Sequence, residues 1–249
     1  MTRIARFISF AAVVDVAAPV AAQAQAGKPT VAIMAFSNGS FGKDARDYDG
    51  LAKGIPAMLI TDMQANTNIR VIERDQVQAL VDEQKLVTGG QVDQATAVKI
   101  GKLLGVHHMI WGTFMTDPKG NFRVDARAVD VETGQIEHVD RVDDKADNIM
   151  SSIGALASKL NAGLKLPPMP AVRTGSTTPA PGATGAQQAG APAASPKLPM
   201  RVAVMYGKAL DAKDHGEKAK AVEYFNAVLK DFPTYEPAIK ERAGLSKGA

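Results

Sequence analysis

Cysteine is absent from all 249 residues. Disulfides, thiol catalysis and thiolate metal sites are therefore excluded, and so is a lipid anchor on an N-terminal cysteine. Clustered basic charge is lacking too. The net charge is +3, of which Arg3, Arg6 and Asp15 in the first 26 residues account for +1. So small an excess, spread along the chain, does not build the one-sided basic face that nucleic-acid binding needs, and no nucleic-acid partner is expected. Long apolar runs are missing as well. Beyond the first 26 residues nothing approaches the ~18 consecutive apolar residues of a spanning helix. Phosphate-loop and dinucleotide fingerprints are not found, nor is any catalytic signature. What is present is an ordinary globular composition, 45% hydrophobic and 22% charged, sufficient for a core over part of the chain.

Residues 1–26 read as a secretory signal peptide. Arg3 and Arg6 form its positive start, Ile8 to Ala22 is mostly apolar, and Ala22-Gln23-Ala24 or Ala24-Gln25-Ala26 offers small residues for cleavage. Asp15 interrupts the apolar run. The rest of the chain is expected to be exported and free of integral membrane segments.

The α/β part occupies residues 27–165. Thr30–Ser37 is a continuous apolar run and predicts a buried strand closed by Asn38-Gly39. A helix is expected from about Tyr48 to Ala65, with Leu51, Ile55, Met58, Leu59 and Met63 on one face and Pro56 as a kink or an early position. The chain is organised around residues 69–116, read as strand, helix, loop, helix, strand. Ile69–Glu73 is the first strand, and Asp75 is placed to cap a helix carrying Val77, Leu80 and Val81. Thr88-Gly89-Gly90 breaks the pattern. Asp93 caps a second helix with Ala97, Ile100, Leu103 and Leu104, and Gly105 stops it. Val106–Phe114 is a strand, with Trp111 and Phe114 read as core. Asp117-Pro118-Lys119-Gly120 has turn chemistry. Asn121–Val131 alternates, with Phe122, Val124, Ala126 and Ala128 inward and Arg123, Asp125 and Arg127 outward. Glu132-Thr133-Gly134 turns into a strand at Gln135–Val142. Asp144–Leu164 is a helix presenting Ile149, Ile153, Leu156, Ala157 and Leu160.

Eight of the 14 prolines fall between Leu166 and Pro199. Residues 166–198 are therefore read as a disordered Pro/Ala/Gly-rich linker with few apolar anchors. Residues 199–249 are a small helical end. AVEYFNAVLKDFPTYEPA resembles the second helix and exit of a tetratricopeptide repeat through Ala221, Phe225 and Pro233, whereas the first helix departs from that spacing. One repeat alone rarely buries enough surface. It is either a marginal three-helix unit or a segment that docks on something else.

The wording VIER at 71–74, ALVDEQKL at 79–86 and GKLLG at 101–105 before an apolar strand resembles the periplasmic domain of the CsgG/HfaB family, the curli secretion family. GIPAMLITDMQ upstream and FRVDARAVDVETGQI downstream fit the same pattern, so the resemblance spans roughly residues 29–163. It implies an α/β (α+β) fold, a three-layer α/β sandwich with a mixed sheet, to which this chain adds a small C-terminal helical unit on a disordered linker. In curli-type channels the loop after the first strand forms the pore constriction, and Ser37–Tyr48 holds that position here. The channel-forming members carry a lipidated cysteine and long membrane hairpins. This chain has neither, because 106–142 has tight turns and charged outward residues. The resemblance therefore implies a channel-less periplasmic relative, similar in architecture to flagellar accessory proteins and lipoprotein activators of peptidoglycan synthases.

Site candidates follow the same weighing. His107 and His108 start a strand, so they point to opposite faces and do not form a metal site. Asp140, Asp143, Asp144 and Asp147 lack the glycine and terminal glutamate of a calcium loop and fit a solvated turn and helix start, with Asp144 or Asp147 as the cap. Glu73 suits a helix N-terminus, and Arg74 can pair across the sheet. No catalytic, cofactor or metal residue is assigned. The partner-contact candidates are Phe41, Tyr48, Glu73, Arg74, Tyr206, Tyr224 and Tyr235.

The expected function is non-enzymatic. It is that of a periplasmic protein-binding adaptor in envelope assembly or secretion, possessing no cofactor, able to self-associate, and associated at most peripherally with the outer membrane. Its C-terminal helices would reach a second partner on the linker. The alternatives are an oligomeric outer-membrane curli-type channel component and an activator-like partner of a peptidoglycan synthase. A small-molecule-binding or hydrolytic protein would need a pocket with converging polar groups.

Overall fold

The structure is a computed structural model, and it describes residues 27–85, 92–117, 119–168 and 198–247. The signal-peptide reading, the Thr88-Gly89-Gly90 loop, Pro118 and nearly all of the linker lie outside those residues. Five strands form one mixed sheet in the order β2-β1-β3-β4-β5. They are β1 (Thr30–Asn38), β2 (Arg70–Val71), β3 (His108–Thr116), β4 (Asn121–Asp130) and β5 (Ile136–Lys145). β1 runs parallel to β2 and β3, while the β3-β4 and β4-β5 pairs are antiparallel. Helices α1 (Leu51–Gln64) and α4 (Ile149–Gly163) cover one face. Helices α2 (Arg74–Gln84) and α3 (Gln94–Leu104) cover the other, over Ala32, Met34, Met109 and Trp111. The three-layer α/β sandwich with a mixed sheet is thus the architecture.

The alternation read in β4 holds closely. Phe122, Val124, Ala126 and Ala128 are all within 1% of full burial. Val129, next in the alternation, faces the α2–α3 side, and opposite it a bulge at Glu137 of β5 shifts the β4-β5 register. On α4 the five inward positions are buried as spaced. Asp93 caps α3 by accepting from the Thr96 N–H at 2.7 Å, and Gly105 ends it in the left-handed region at φ 65°.

Several boundaries differ from expectation. The strand placed at Ile69–Glu73 shrinks to two residues, because the Ile69 N–H is taken by Asn66 in a turn and Glu73 becomes the residue preceding α2. Asp75 does not cap α2. It lies in the first turn and ion-pairs with Arg74 and Lys213. The helix expected from Tyr48 begins at Leu51, after a 3-10 turn at Ala45–Tyr48, and Pro56 lies inside it. Leu103 is 53% exposed. β5 runs on to Lys145, in register with β4 as far as Asn121, whose side chain accepts from the Lys145 ammonium at 2.6 Å. The acidic run is therefore mainly edge strand rather than helix start. Neither Asp144 nor Asp147 occupies the cap of α4, although the Asp144 carboxylate accepts from Asn148 and Ser152 and ties the strand end to that helix.

Helices α5 (Met200–Asp214), α6 (Lys218–Asp231) and α7 (Glu236–Lys247) make a fourth layer. Of the two options for this segment, docking is the one realised, and its surface is α1 of the same chain. Tyr206, Leu210, Phe225 and Val228 belong to one buried cluster with Leu51, Ile55 and Leu59. Full burial of each such side chain contributes about 1.5–3 kcal/mol. The helices meet at glycine: a Cβ on Gly207 would overlap the Gly50 carbonyl, so only glycine permits this approach. The linker ends are also anchored. Leu166 and Leu198 are buried, and Asn66 Nδ2 donates to Asn161 Oδ1 at 2.7 Å and to the Pro167 carbonyl at 2.8 Å.

Candidate functional site: an aromatic and methionine groove

At the β3-β4 hairpin end of the sheet, three segments distant in sequence meet. The loop after β1 is pinned at its base. Asn38 Nδ2 donates to the Ala45 carbonyl and to Asp49, the Gly39 N–H donates to the Phe114 carbonyl, and Ser40 meets Thr116. A loop held at both feet pushes its middle outward, and Phe41 stands 66% exposed. The 3-10 turn then sets Tyr48 against the start of α5. Between them lies a groove of about 470 Å³, lined by Tyr48, Met200, Val204, Met205 and Tyr224 and rimmed by Asp47, Asp117, Arg201 and Lys208. A shallower depression beside it, past Thr116 and Asp117, is flanked by Phe41, Met115 and Phe122. An apolar floor of Tyr and Met with a rim of both charge signs suits protein contacts: tyrosine gives area at low entropic cost, and methionine adapts its shape.

Of the seven partner-contact candidates, this surface gathers three, Phe41, Tyr48 and Tyr224. Glu73 is exposed at the start of α2, where it accepts from Gln64 at 3.0 Å. The other three are not surface residues. Tyr206 and Tyr235 are 3% and 5% exposed and meet edge to face with ring centroids 5.2 Å apart. Burial holds both hydroxyls above their usual pKa. Arg74 is 8% exposed and does not pair across the sheet. It donates from both terminal nitrogens to Asp214 on α5, each at 2.8 Å. Lys53 reaches the same carboxylate at 2.6 Å, and Lys213 joins Asp75 to Glu241. Burial opposes the charge on Asp214, but Arg74 and Lys53 outweigh it and hold its pKa below 3.8.

The sequence reading missed Met200, Met205 and Arg201. Their only signal was methionine density near the start of α5, and nothing local linked it to Tyr48. A second cavity of about 430 Å³ borders the ion cluster between α1, α2 and the end of α5. His107 bonds to Thr30 and His108 to Glu137, so the two imidazoles serve separate strand contacts. Among the described residues no group of three or more His, Asp and Glu is placed to hold a metal ion, and no helix is long and apolar enough to cross a membrane.

Fold and groove together define a layered α/β domain with an open apolar groove at one end of its sheet. In sequence, residues 12–117 match the family described as Curli production assembly/transport component CsgG. The match takes in β1 through β3, while the part of the resemblance beyond residue 117 lies outside it. No curated protein matches the chain. Solved structures similar to it include the LpoB C-terminal domain from Escherichia coli, with 12% identity, TM-score 0.35, and coverage of 47% of this chain and 83% of that one. Another is the PelC dodecamer from Paraburkholderia phytofirmans, with 11% identity, TM-score 0.36, and coverage of 57% and 90%. A third is lipoprotein GNA1162 from Neisseria meningitidis, with 14% identity, TM-score 0.36, and coverage of 55% and 94%.

Proposed function

We infer that this protein is a non-enzymatic adaptor of the bacterial periplasm that binds other proteins during envelope assembly or secretion. The match of residues 12–117 to the CsgG family supports the setting. The groove carries the rest of the reading: Tyr48, Met205 and Tyr224 present apolar area that the fold leaves open, beside an exposed Phe41. The partner chemistry that fits is a short amphipathic segment with apolar anchors and a charge at each end, to meet Asp47 or Asp117 on one rim and Arg201 or Lys208 on the other. The C-terminal helices take part as one wall of this groove rather than as a free arm.

Cell fractionation of a C-terminally tagged copy, followed by the native mass of the processed protein, tests the reading. A periplasmic species of monomer or dimer mass is expected. A large ring in the outer-membrane fraction would overturn it in favour of a channel component, and would direct mutagenesis to Ser37–Tyr48. Photo-crosslinking from position 41 in the same cells is expected to trap a protein partner, and Tyr224→Ser is expected to abolish the product.

A further inference from the structure

β5 is an edge strand of ten residues, and two of the four large hydrophobic residues left exposed among the described residues, Ile136 at 42% and Val139 at 57%, lie on it. Its backbone phase follows from one bond. The Ala146 N–H donates to the Gly120 carbonyl, so the even-numbered residues from His138 to Asp144 aim their backbone groups at β4, up to the bulge at Glu137. Val139, Arg141 and Asp143 therefore aim their N–H and C=O groups away from the sheet. The ammonium of Lys159 confirms that phase, because it reaches around from α4 to the Arg141 carbonyl at 2.8 Å. Rows of such groups are templates for another strand.

The charges on β5 decide which strand. Two copies meeting edge to edge in one continuous sheet run antiparallel about a two-fold axis perpendicular to it, and one residue faces its own copy. With Asp140, Arg141 or Asp143 at the centre, like charges face each other. With Val142 at the centre, Asp140 faces Asp144. With Val139 at the centre, valine meets valine and His138 faces Asp140, so no like charges are opposed over the regular part of the strand, and Glu137 beyond it is the bulge residue, bonded to His108. His138 and Asp140 already pair along the strand at 2.6 Å, so both side chains are held at this edge. The wall above is low: Ala155, Ser158 and Ala162 share the helical face of Lys159 and are exposed and small.

We propose that the β5 edge binds a second copy of this chain, as an antiparallel strand pair centred on Val139. The pairing displaces Lys159 from the Arg141 carbonyl and covers Ile136 and Val139. It leaves the groove at the other end of the sheet open in both copies, so it stands apart from the adaptor reading.

The absence of native cysteine makes the test clean. Val139→Cys places the only thiol on the two-fold axis, and mild oxidation is expected to convert the purified protein to a disulfide-linked dimer. Leu103→Cys, equally exposed on α3, is expected to stay monomeric under the same conditions. Light scattering of the unaltered protein should give twice the monomer mass. Val139→Lys sets two ammonium groups face to face, and should give the monomer mass with an unchanged circular dichroism spectrum. A monomer at every accessible concentration, equal oxidation at positions 103 and 139, or a dimer that survives Val139→Lys would each overturn the proposal.

Discussion

Arg74 and Asp214 form a two-pronged ion pair, both contacts at 2.8 Å, between the first turn of α2 and the last turn of α5. Both side chains are about nine-tenths buried, so the pair is stable only while both partners are present. Asp214→Ala leaves the buried guanidinium with only the half-exposed Asp75 and is expected to cost about 3 kcal/mol in urea denaturation, whereas the apolar double variant Arg74→Met/Asp214→Leu costs much less. The pH dependence has a definite sign. Since the folded-state pKa of Asp214 is depressed, its contribution is complete above 3.8 and is lost as pH falls through the depressed value. The double variant should lose that acid limb. An Asp214→Ala protein as stable as the parent would refute the docking of α5 as described.

The glycine contact gives a second handle on the same interface. Gly207→Ala would overlap the Gly50 carbonyl, and the helices must move apart to fit it. The expected loss is about 1–3 kcal/mol by thermal unfolding. Gly244→Ala, in open space on α7, should be neutral or gain about 0.4–1 kcal/mol from the stiffer unfolded chain. Equal effects at the two positions would mean that α1 and α5 do not touch at this point.

The aromatics divide into wall and core, and truncation separates them. Tyr206→Ala removes a ring packed against Phe225 and Tyr235 and should cost about 3–5 kcal/mol. Phe41→Ala, at a position 66% exposed, should stay within about 0.5 kcal/mol. Chemical denaturation of the two variants side by side checks both values, and a stability loss at Phe41 would remove it from the contact surface.

Period and caps made the layers readable in advance. The two-residue alternation of β4 and the 3–4 spacing of α4 report burial directly, because each face has one neighbour along its whole length. Asp93 and Gly105 bracket α3 through local bonds that any such sequence would make. What stayed hidden depends on distance. Asp214 lies 140 positions from Arg74, beyond a proline-rich stretch, and no local pattern says that the two will meet. Tyrosine is ambiguous for a related reason: ring and hydroxyl suit a core with a polar outlet as well as a contact surface. Tyr206 and Tyr235 took the first role, whereas Tyr48 and Tyr224 line an open groove. β2 was misjudged because a β-branched run signals a strand without saying how many of its backbone groups a turn and a helix start will claim.

Asp62 pulls stability the other way from Asp214. It lies on α1 facing α4, where a Cβ on Gly154 would sit 3.7 Å from its carboxylate. Burial raises its pKa from 3.8 to about 6. The folded state thus prefers the protonated acid. This contribution is greatest below 3.8, declines as pH rises to about 6, and is flat above. Two pKa units correspond to about 3 kcal/mol, and partial solvent access brings the expectation to about 1–2 kcal/mol. Asp62→Asn keeps the shape and removes the ionisation, so it should stabilise the protein by that amount at neutral pH and have little effect near pH 4. The measurement is the urea midpoint of both proteins across that range. A gap that widens with rising pH supports the assignment. A constant gap, or an asparagine variant weaker at neutral pH, would mean that the Asp62 carboxylate is solvated or paired and that burial there is incomplete.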